Sequence, residues 1–337
     1  MPSKRNAEGQ PMNGKRPKLI VIDGYSLLFR AHLAYGGAES LRTHDGRPTG
    51  AIHGFTSMLL SILRENPDAI YVAWDAPGPT FRDELYAEYK AQRPEADPDL
   101  KAQFQLARDM VQAFGIPCAE VPGFEADDLV GALAEEGVRN GYDVIIYTGD
   151  SDQLQLVRDG VTVRMTGRGV SETTDYDADR VMEKYGVRPD QIADYKALVG
   201  DPSDNIPGVP GVGKVTAARL LRQWGSLDSL LQHVDELPEK TLTEQKVKAA
   251  LKEYADRVRL ARALTGIRCD APVEKPLKPY APDPQTWSAV RAMFANLEFR
   301  SLAQRLPAAT DAAASQASES PPSQAELQWS IIRSDAD

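Results

Sequence analysis

Three apolar runs along the chain each lead into one or two aspartates. Continuous Val and Ile runs of this length are typical of strands that are buried on both faces, as in a parallel sheet. In an open α/β sheet, ligands bind outside the carboxyl ends of the strands, so we expect these aspartates to meet at one edge. The runs and their acids are 18–22 with Asp23, 69–74 with Asp75, and 143–149 with Asp150 and Asp152.

These four carboxylates predict a metal site. Ionised carboxylates crowded into a small space repel one another unless a positive charge compensates them. Hard divalent cations bound through oxygen supply that charge, and Mg²⁺ is the usual ion where phosphates are processed. Because Asp150 and Asp152 are two residues apart, we expect both to project from the same side of an extended strand end.

The spacing of apolar and polar positions predicts an α/β domain followed by a helical region. Helices are predicted over residues 25–35, 49–65 and 99–114, and a further helix follows residue 124. Strands and helices alternate up to about residue 178, which favours a mostly parallel central sheet with flanking helices. Beyond that point the strands fade, and helices are predicted over 189–199 and most of 226–306.

Two further groups of acids lie outside the strand ends. Glu125, Asp127 and Asp128 open a helix, where acids are common because they complement the helix dipole. Asp201 and Asp204 flank a loop, where they have an ordinary explanation as turn residues. Together with the strand-end aspartates, however, they make nine carboxylates in four groups at strand ends, helix starts and loops, and this joint pattern favours metal binding.

A glycine-rich segment over residues 208–216 imitates a phosphate-binding P-loop but fails in two respects. Val215 occupies the Ser/Thr position that should meet Mg²⁺, and no strand precedes the segment. We predict instead a glycine-rich hairpin between two helices, with the second helix beginning near Lys214. Its bare backbone amides can approach a phosphate and hold a nucleic-acid backbone without reading sequence.

The distribution of charge changes what the net charge implies. A net charge of −10 argues against a nucleic-acid partner, but distribution matters more than the sum. Residues 240–268 contain eight Lys or Arg against three acids, and 205–225 contain three bases and no acid. From charge alone, contact with DNA and a helix face exposed to solvent are equally good explanations of these basic stretches. Residues 77–100 also interleave basic and aromatic side chains without a clean apolar face.

Composition places the chain among soluble globular proteins, with 42% hydrophobic and 26% charged residues. No apolar stretch approaches the ~20 residues of a membrane span, and the N-terminus lacks the apolar core of a signal peptide. The two cysteines lack metal-ligand spacing and, without an export signal, fit a reducing cytoplasm.

Five motifs resemble, in this order, those of the structure-specific 5′ nuclease (flap endonuclease) family: VIDGYSLLFRA, WDAPGPTFRDELYAEYKAQR, EVPGFEADDLVGALA, TGDSDQLQLV and LVGDPSDNIPGVPGVGKVTA. The resemblance covers roughly residues 18–306 and extends to the N-terminal 5′→3′ exonuclease domains of bacterial DNA polymerase I. It implies a PIN-like nuclease core over 18–178 with a helical clamp at about 77–100. A helical DNA-binding region over 179–306 would carry a helix–three-turn–helix element at about 189–224.

The resemblance also implies roles for single residues. Those similar to the ligands of a first metal ion are Asp23, Asp75 and Asp127. Those similar to the ligands of a second ion are Asp150, Asp152 and Asp201, with Asp204 nearby, and Glu125 and Asp128 are further ligands or their neighbours. The basic residues expected to act on the phosphate are Lys90 and Arg82. The positions expected to bind DNA are Phe81, Tyr89, Arg93, Gly208, Gly211, Gly213 and Lys214.

The family implies a phosphodiesterase with two Mg²⁺ ions, for which Mn²⁺ can substitute, and a K⁺ ion at the hairpin. The expected substrate is DNA with a 5′ flap, a nick or a free 5′ end, including RNA-primed ends removed in replication and repair. We expect a monomer in the cytoplasm at the bacterial nucleoid, without membrane contact. Residues 1–17 are expected to be a disordered extension, and 307–337 a flexible linker with the start of a following domain, such as a polymerase in the same chain.

Two alternatives stay open at this point. An RNA-cleaving relative could use a similar acidic sheet, although such domains are usually much shorter and lack the 208–214 hairpin. An inactive DNA-binding module is the other, although it would be expected to have lost acids, and none of the nine positions is lost.

Overall fold

A six-stranded sheet forms the centre of the fold in the computed structural model, which describes residues 16–35, 41–167 and 172–307. Its strands are β1 (Lys18–Asp23), β2 (Ala69–Ala73), β3 (Cys118–Ala119), β4 (Asp143–Thr148), β5 (Val161–Thr166) and β6 (Thr173–Tyr176). Their order is β3-β2-β1-β4-β5-β6. All neighbours are parallel except β6, which pairs antiparallel with β5 at one edge. A separate two-stranded pair joins β7 (Gly200–Asp201) and β8 (Ile206–Pro207).

Helices cover both faces of this sheet and make up most of the chain after β6. Those between the strands are α1 (Gly24–Tyr35), α2 (Gly50–Leu63), α3 (Phe81–Leu85), α4 (Pro98–Lys101), α5 (Phe104–Ala113) and α6 (Ala126–Arg139). Those that follow are α7 (Ala178–Tyr185), α8 (Ile192–Val199), α9 (Lys214–Trp224), α10 (Leu227–Gln232), α11 (Leu242–Glu253), α12 (Ala255–Thr265), α13 (Pro284–Asn296) and α14 (Arg300–Ala303). Short 3₁₀ helices span Ser151–Leu156, Pro189–Gln191, Pro202–Asp204 and Val234–Glu236.

Alternate residues of the central strands feed two separate hydrophobic cores. In β1, Leu19 and Val21 face a core shared with α6 and the later helices, whereas Ile20 and Ile22 face one shared with α1, α2, α5 and α13. This two-sided burial is what the unbroken apolar runs predicted, because successive side chains of a strand point to opposite faces.

The register of the strands brings the predicted acids to one edge. Asp23 of β1 lies opposite Ala73 of β2, and Ile22 lies opposite Tyr147 of β4. The three strands therefore end at one level, and Asp75 and Asp150 follow within two residues of their strand ends. The predicted α/β fold with a mostly parallel sheet and a helical second region is confirmed.

Local details differ from the predictions. β4 ends at Thr148, and Asp152 lies in a 3₁₀ helix capped by the Asp150 side chain, so the two do not project from an extended strand. The predicted 99–114 helix is divided into α4 and α5 at Gln103, which is buried and accepts a hydrogen bond from the backbone of Ile52 (2.9 Å).

The domain boundary and the clamp stay predictions, and residues 77–100 contain α3, turns and the start of α4. The predicted extension and linker fall almost wholly outside the described residues. No helix within the described ranges is long and apolar enough to cross a membrane.

Candidate metal centre

Asp23 lies at the acidic edge, which is the edge of the sheet where the predicted acids at the strand ends meet. It is the last residue of β1 and is only 5% exposed. Its carboxylate accepts hydrogen bonds from the Ser26 backbone (3.1 Å), the Thr148 hydroxyl (2.9 Å) and the Gln153 amide (3.2 Å). Because Thr148 ends the neighbouring strand β4, the sheet itself orients this carboxylate.

The start of α6 brings further carboxylates to the same edge. Asp75 is exposed and accepts a hydrogen bond from the backbone N–H of Ala126 (2.8 Å), the first residue of α6. Asp127, in the first turn, is half-buried and accepts one from the Gln153 amide (2.7 Å). Gln153 thus joins Asp127 to Asp23, and the positive end of the α6 dipole favours the negative charge gathered there.

The proximity of these acids changes their protonation. Burial raises the pKa of Asp23 to about 7, and repulsion from Asp75 and Asp150 adds to this while the Ser26 and Thr148 hydrogen bonds oppose it. The pKa of Asp127 is likewise raised, by burial first and then by Asp23 and Asp150. A bound cation would favour the ionised forms, so the site is electrostatically suited to a divalent ion.

A second group of carboxylates converges beside the first. Asp152, Asp201 and Asp204 each offer an oxygen, and these oxygens lie within 4.8 Å of one another. Asp201 ends β7, and Asp204 closes the 3₁₀ turn between β7 and β8, so a tight loop presents both. Three carboxylates at this spacing are a donor set suited to a hard divalent cation. Among the described residues, this is the only group of three or more Asp, Glu, His or Cys side chains whose ligand atoms lie this close together.

Asp150 lies between the two groups rather than in the second trio. Its side chain accepts a hydrogen bond from the backbone N–H of Asp152 (2.9 Å). Its pKa is raised, chiefly by burial and also by repulsion from Asp204 and Asp201, while Lys196 and Lys90 oppose the shift. Repulsion from Asp150 also contributes to the raised pKa values of Asp23 and Asp127, so Asp150 interacts with the charges of both groups.

Lys196 on α8 occupies the second group, and the sequence patterns did not point to it. Its ammonium lies 2.7 Å from Asp201 and forms a second ion pair with Asp152. Burial alone would raise the pKa of Asp201, but Lys196 and the hydrogen bonds from Ser203 outweigh it and lower that pKa. A single lysine on a helix with an ordinary apolar face gives no sequence signal beyond its position five residues before Asp201.

Three of the predicted basic and aromatic residues lie against the acids. Lys90 places its ammonium 2.7 Å from Glu125, and its backbone N–H donates to the Asp204 carbonyl (3.1 Å). Arg93 pairs with Asp204 (2.6 Å). Tyr89 is 6% exposed, and its hydroxyl lies 3.2 Å from both Glu125 and Asp204. The turn that carries them is thus fastened directly to the acidic site.

Arg82 and Asp128 pair with each other inside the protein, and their predicted roles stay predictions. Arg82 is 2% exposed, and its guanidinium donates to both oxygens of Asp128 (2.7 and 2.9 Å) and to the carbonyls of Leu264 and Gly266. Asp128 is fully buried and also accepts from the backbone of Arg268 (2.8 Å). The guanidinium donors of Arg82 thus bond to Asp128 of α6 and to carbonyls at the end of α12.

The remaining predicted DNA-binding residues lie in two places. Phe81 is half-buried, packs edge-on against Phe124 and has the Arg82 guanidinium 4.4 Å from its ring centre. The predicted start of the second helix matches the local geometry, since α9 begins at Lys214 with Gly213 as its N-cap. The expectation that no strand precedes the segment is wrong, because the short strand β8 ends directly before Gly208. Lys214 is exposed beside Gly211, whose φ of 80° lies in the left-handed region that favours glycine. Gly208 packs so closely on the end of α8 that a Cβ atom would lie 2.2 Å from the Val199 carbonyl oxygen.

Comparison with known proteins assigns nearly all of the described chain to two consecutive family models. Residues 18–186 match a 5′-3′ exonuclease N-terminal resolvase-like domain, and residues 187–287 match a 5′-3′ exonuclease C-terminal SAM fold. DNA polymerase I of Bacillus caldotenax is 40% identical over 292 residues, covering 86% of this chain and 32% of that protein. DNA polymerase I of Chloroflexus aurantiacus is 43% identical over 303 residues, covering 88% and 31%. The chain thus spans about a third of the length of these curated relatives.

Solved structures share the fold at lower identity. T5 5′-exonuclease with bound zinc superposes with a TM-score of 0.61 at 21% identity, covering 86% of this chain and 100% of that one. The catalytic core of Rad2 in complex with a DNA substrate gives a TM-score of 0.55 at 15% identity, covering 84% and 87%. With both of its modules matched over residues 18–287 and an acidic edge built on a parallel sheet, this chain is a member of the 5′-3′ exonuclease family of nucleases.

Proposed function

We propose that this chain hydrolyses phosphodiesters in DNA that carries a 5′ flap, a nick or a free 5′ end, including RNA-primed ends. The observation that carries the proposal is the convergence of Asp152, Asp201 and Asp204 within 4.8 Å beside the Asp23 edge. The names of the relatives and neighbours agree with this activity: they are DNA polymerases I, the T5 5′-exonuclease and the DNA-bound Rad2 core.

The acidic groups divide into two proposed ion sites. Those assigned to the first are Asp23, Asp75 and Asp127, and those assigned to the second are Asp152, Asp201 and Asp204, with Asp150 and Glu125 between or beside them. Two divalent ions, when bound, would activate a water for attack and stabilise the leaving 3′ oxygen. We propose Mg²⁺ as the physiological ion, with Mn²⁺ as a substitute, because all the donors are carboxylate oxygens.

Protein side chains supply the remaining parts of the proposed mechanism. Lys90 and Arg93 lie at the acidic edge with their positive charges within 2.7 Å of carboxylates, so a scissile phosphate arriving there would meet both. Arg82 acts as a positioning residue, because it holds the start of α6 through Asp128 and so orients Asp127 and Glu125. Gln153 keeps Asp127 and Asp23 at a fixed separation.

Substrate binding is proposed to use the hairpin before α9. The exposed Lys214 and the glycine backbone at an N-terminal helix end suit a phosphate of the DNA backbone and read no sequence. Backbone carbonyls of the same hairpin are proposed to hold a K⁺ ion, since carbonyl oxygens suit alkali cations. Binding of flap DNA measured in KCl and in LiCl at equal ionic strength tests this, and equal affinities would contradict it.

The wider setting is inferred from the relatives. Bacterial polymerases carry the matching region, so we propose that this nuclease acts at the bacterial nucleoid, as a monomer, to remove primers and flaps in replication and repair. Polymerase domains in the same natural chain are part of this proposal, supported by the share of each relative that remains unmatched.

The activity is tested with a 5′-labelled flap duplex incubated with Mg²⁺ or EDTA, followed by sizing of the products. We expect Mg²⁺-dependent cleavage near the flap junction that leaves a 5′ phosphate and a 3′ hydroxyl. Asp201→Asn should raise the Mg²⁺ concentration that gives the half-maximal rate. Asp159→Asn serves as the matched control, because the Asp159 side chain is 98% exposed. Cleavage that persists in EDTA would contradict the proposal.

A further inference from the structure

Lys196 holds two of the three carboxylates that form the second proposed ion site. Its side chain is 16% exposed, and its ammonium contacts Asp201 at 2.7 Å and forms an ion pair with Asp152. Asp201 and Asp152 belong to the trio whose oxygens lie within 4.8 Å of one another, and the third member, Asp204, pairs with Arg93 at 2.6 Å. Each member of the trio is therefore paired with a protein cation, although two positive charges face three carboxylates.

We propose that Lys196 is a displaceable counter-ion of the second ion site, an inference that rests on the proposed two-ion function. An ammonium group offers only donors, and here it occupies the carboxylate lone pairs that a divalent ion would need. Two cations at one trio would also repel each other strongly in a partly buried site. Metal binding must therefore displace Lys196, which the flexible four-carbon stem of lysine allows.

The proposal explains how the second trio tolerates its own charge without a metal ion. Burying several carboxylates together is unfavourable unless a positive charge accompanies them. In the first group, no lysine or arginine pairs with Asp23 or Asp127 among the described residues, and both carboxylates accept hydrogen bonds from Gln153 instead. In the second group, Lys196 forms ion pairs with Asp152 and Asp201. Only in the second group does a lysine therefore compete with a metal ion for the carboxylates.

The test measures metal binding to the full chain in the absence of DNA. Lys196→Met removes the charge and keeps the length of the side chain. We expect the second site to bind Ca²⁺ or Mn²⁺ about tenfold more tightly, the change that loss of ~1.4 kcal/mol of competition gives. Calorimetry measures Ca²⁺ binding, and electron paramagnetic resonance measures Mn²⁺ binding. The binding signal that disappears in Asp201→Asn identifies the second site. Melting temperature should fall in EDTA, because Asp152 and Asp201 then repel each other, and should recover in saturating Mg²⁺.

Two matched variants separate charge from packing. Lys196→Arg keeps the positive charge and should leave the second-site affinity near that of the wild type. Lys184→Met removes an exposed lysine on α7 that contacts the Tyr176 hydroxyl (3.0 Å), and it should change neither metal affinity nor the effect of EDTA. Unchanged or weaker metal binding in Lys196→Met would overturn the proposal, because Lys196 would then be neutral toward the ion or help to organise its ligands.

A measurement on the unmodified protein covers the case in which Lys196→Met does not fold. In ¹⁵N-lysine-labelled protein in EDTA, the Lys196 ammonium should give a slowly exchanging NMR signal, assigned by its loss in Lys196→Arg. Addition of Mg²⁺ should abolish or shift this signal as the second site fills. A signal unchanged at saturating Mg²⁺ would overturn displacement even if the protein were a nuclease. Loss of nuclease activity with normal metal competition would instead contradict only the proposed function.

Discussion

Lys90 shows how a single side chain acquires its position at the acidic edge. Its backbone φ of 54° lies in the left-handed region, which costs free energy for a residue with a Cβ atom. The hydrogen bond from its N–H to the Asp204 carbonyl (3.1 Å) and the 2.7 Å ion pair with Glu125 hold it there. This arrangement places the ammonium of Lys90 among the carboxylates of the proposed ion sites.

Lys90→Ala should lower the single-turnover cleavage rate by roughly 10²–10³-fold, the effect of removing one donor that stabilises developing charge. Affinity for duplex DNA should change far less, because other phosphate contacts remain. Quench-flow cleavage and equilibrium binding in Ca²⁺ measure the two effects separately. Lys101→Ala is the control, since Lys101 pairs with an exposed glutamate away from the acids. An unchanged rate at saturating Mg²⁺ would mean that Lys90 is an ordinary surface lysine.

Arg82 should contribute to stability rather than bind phosphate. Replacing it with Met leaves Asp128 buried without its partner, and breaking such a pair costs about 3–5 kcal/mol. Urea unfolding should therefore show a large loss for Arg82→Met, most of which is recovered when Asp128 is changed to Asn as well. If Arg82→Met unfolds like the wild type but cleaves far more slowly, the originally predicted catalytic role is supported instead.

Asp23 should make the metal-free protein sensitive to pH. Its pKa is raised to about 7 in the folded chain, so between the ordinary carboxyl pKa near 4 and pH 7 the folded state binds more protons than the unfolded state. The free energy of unfolding in EDTA should therefore fall as pH rises through this window, each pKa unit corresponding to about 1.4 kcal/mol.

Asp23→Asn removes this titration and should give a flatter dependence, with Asp127 accounting for part of the fall that remains. Denaturant unfolding in EDTA at pH 5 and pH 8 measures the difference, and Asp159→Asn should follow the wild type. A wild-type slope in Asp23→Asn would show that this carboxyl titrates normally. With saturating Mg²⁺, Asp23→Asn should nearly abolish cleavage while flap binding is retained. Asp159→Asn should cleave like the wild type.

The sequence predicted the residues of the site better than their contacts. Aspartates at strand ends were predictable, because a buried run fixes both the strand and the edge where it ends. Gln153 and Lys196 were not, because a single polar residue in a short helix matches no pattern until its partners, as far as 130 residues away, are brought together. For the same reason the pairing of Arg82 with Asp128 was not predicted, since Asp128 lies 46 residues further along the chain.

At the scale of elements, the start of α9 agrees with the prediction. The positive charge of the basic run 240–268, by contrast, is partly offset by acids that pair with its side chains. Five of its eight bases are in ion pairs, which reduces the charge left for DNA; the pairs are Lys248–Glu239, Lys252–Asp235, Arg259–Asp256, Arg262–Asp194 and Arg268–Asp270. Counting charges along the sequence could not reveal this, because several of the acids lie outside the basic run. The exposed start of α9 is therefore the stronger candidate for phosphate contact.

Affinity for flap DNA should fall steeply with salt, and Lys214→Ala should reduce the slope of log Kd against log salt by about 1, the value for one lost phosphate contact. Lys252→Ala should change the slope little, because Lys252 is already paired with Asp235. Titrations at several KCl concentrations with Ca²⁺ compare the two lysines on the same substrate. Equal slopes for both variants would remove the electrostatic basis for placing DNA at the hairpin.

At the scale of the whole molecule, the last described helices pack against the N-terminal part of the fold. The matched SAM fold ends at residue 287, but α13 and α14 continue beyond it and pack against α5 and the core beneath β1 and β2. Phe294 is 1% exposed, with its ring centre 6.2 Å from Phe114 and 6.0 Å from Phe299. The N-terminal sheet thus obtains part of its hydrophobic core from the last described helices.

Phe294→Ala should destabilise the protein by about 3–5 kcal/mol, the usual cost of truncating a buried phenylalanine. Because the cavity opens inside the core of the sheet, the loss should appear as one cooperative transition in urea, followed by both tryptophan fluorescence and circular dichroism. Gln285→Ala, on the same helix, is the surface control. Two separate transitions, with the first confined to the helical signal, would show that α13 is only appended to the nuclease core. Below the transition, cleavage per folded molecule should match the wild type, because Phe294 belongs to the core on the side of the sheet opposite α6.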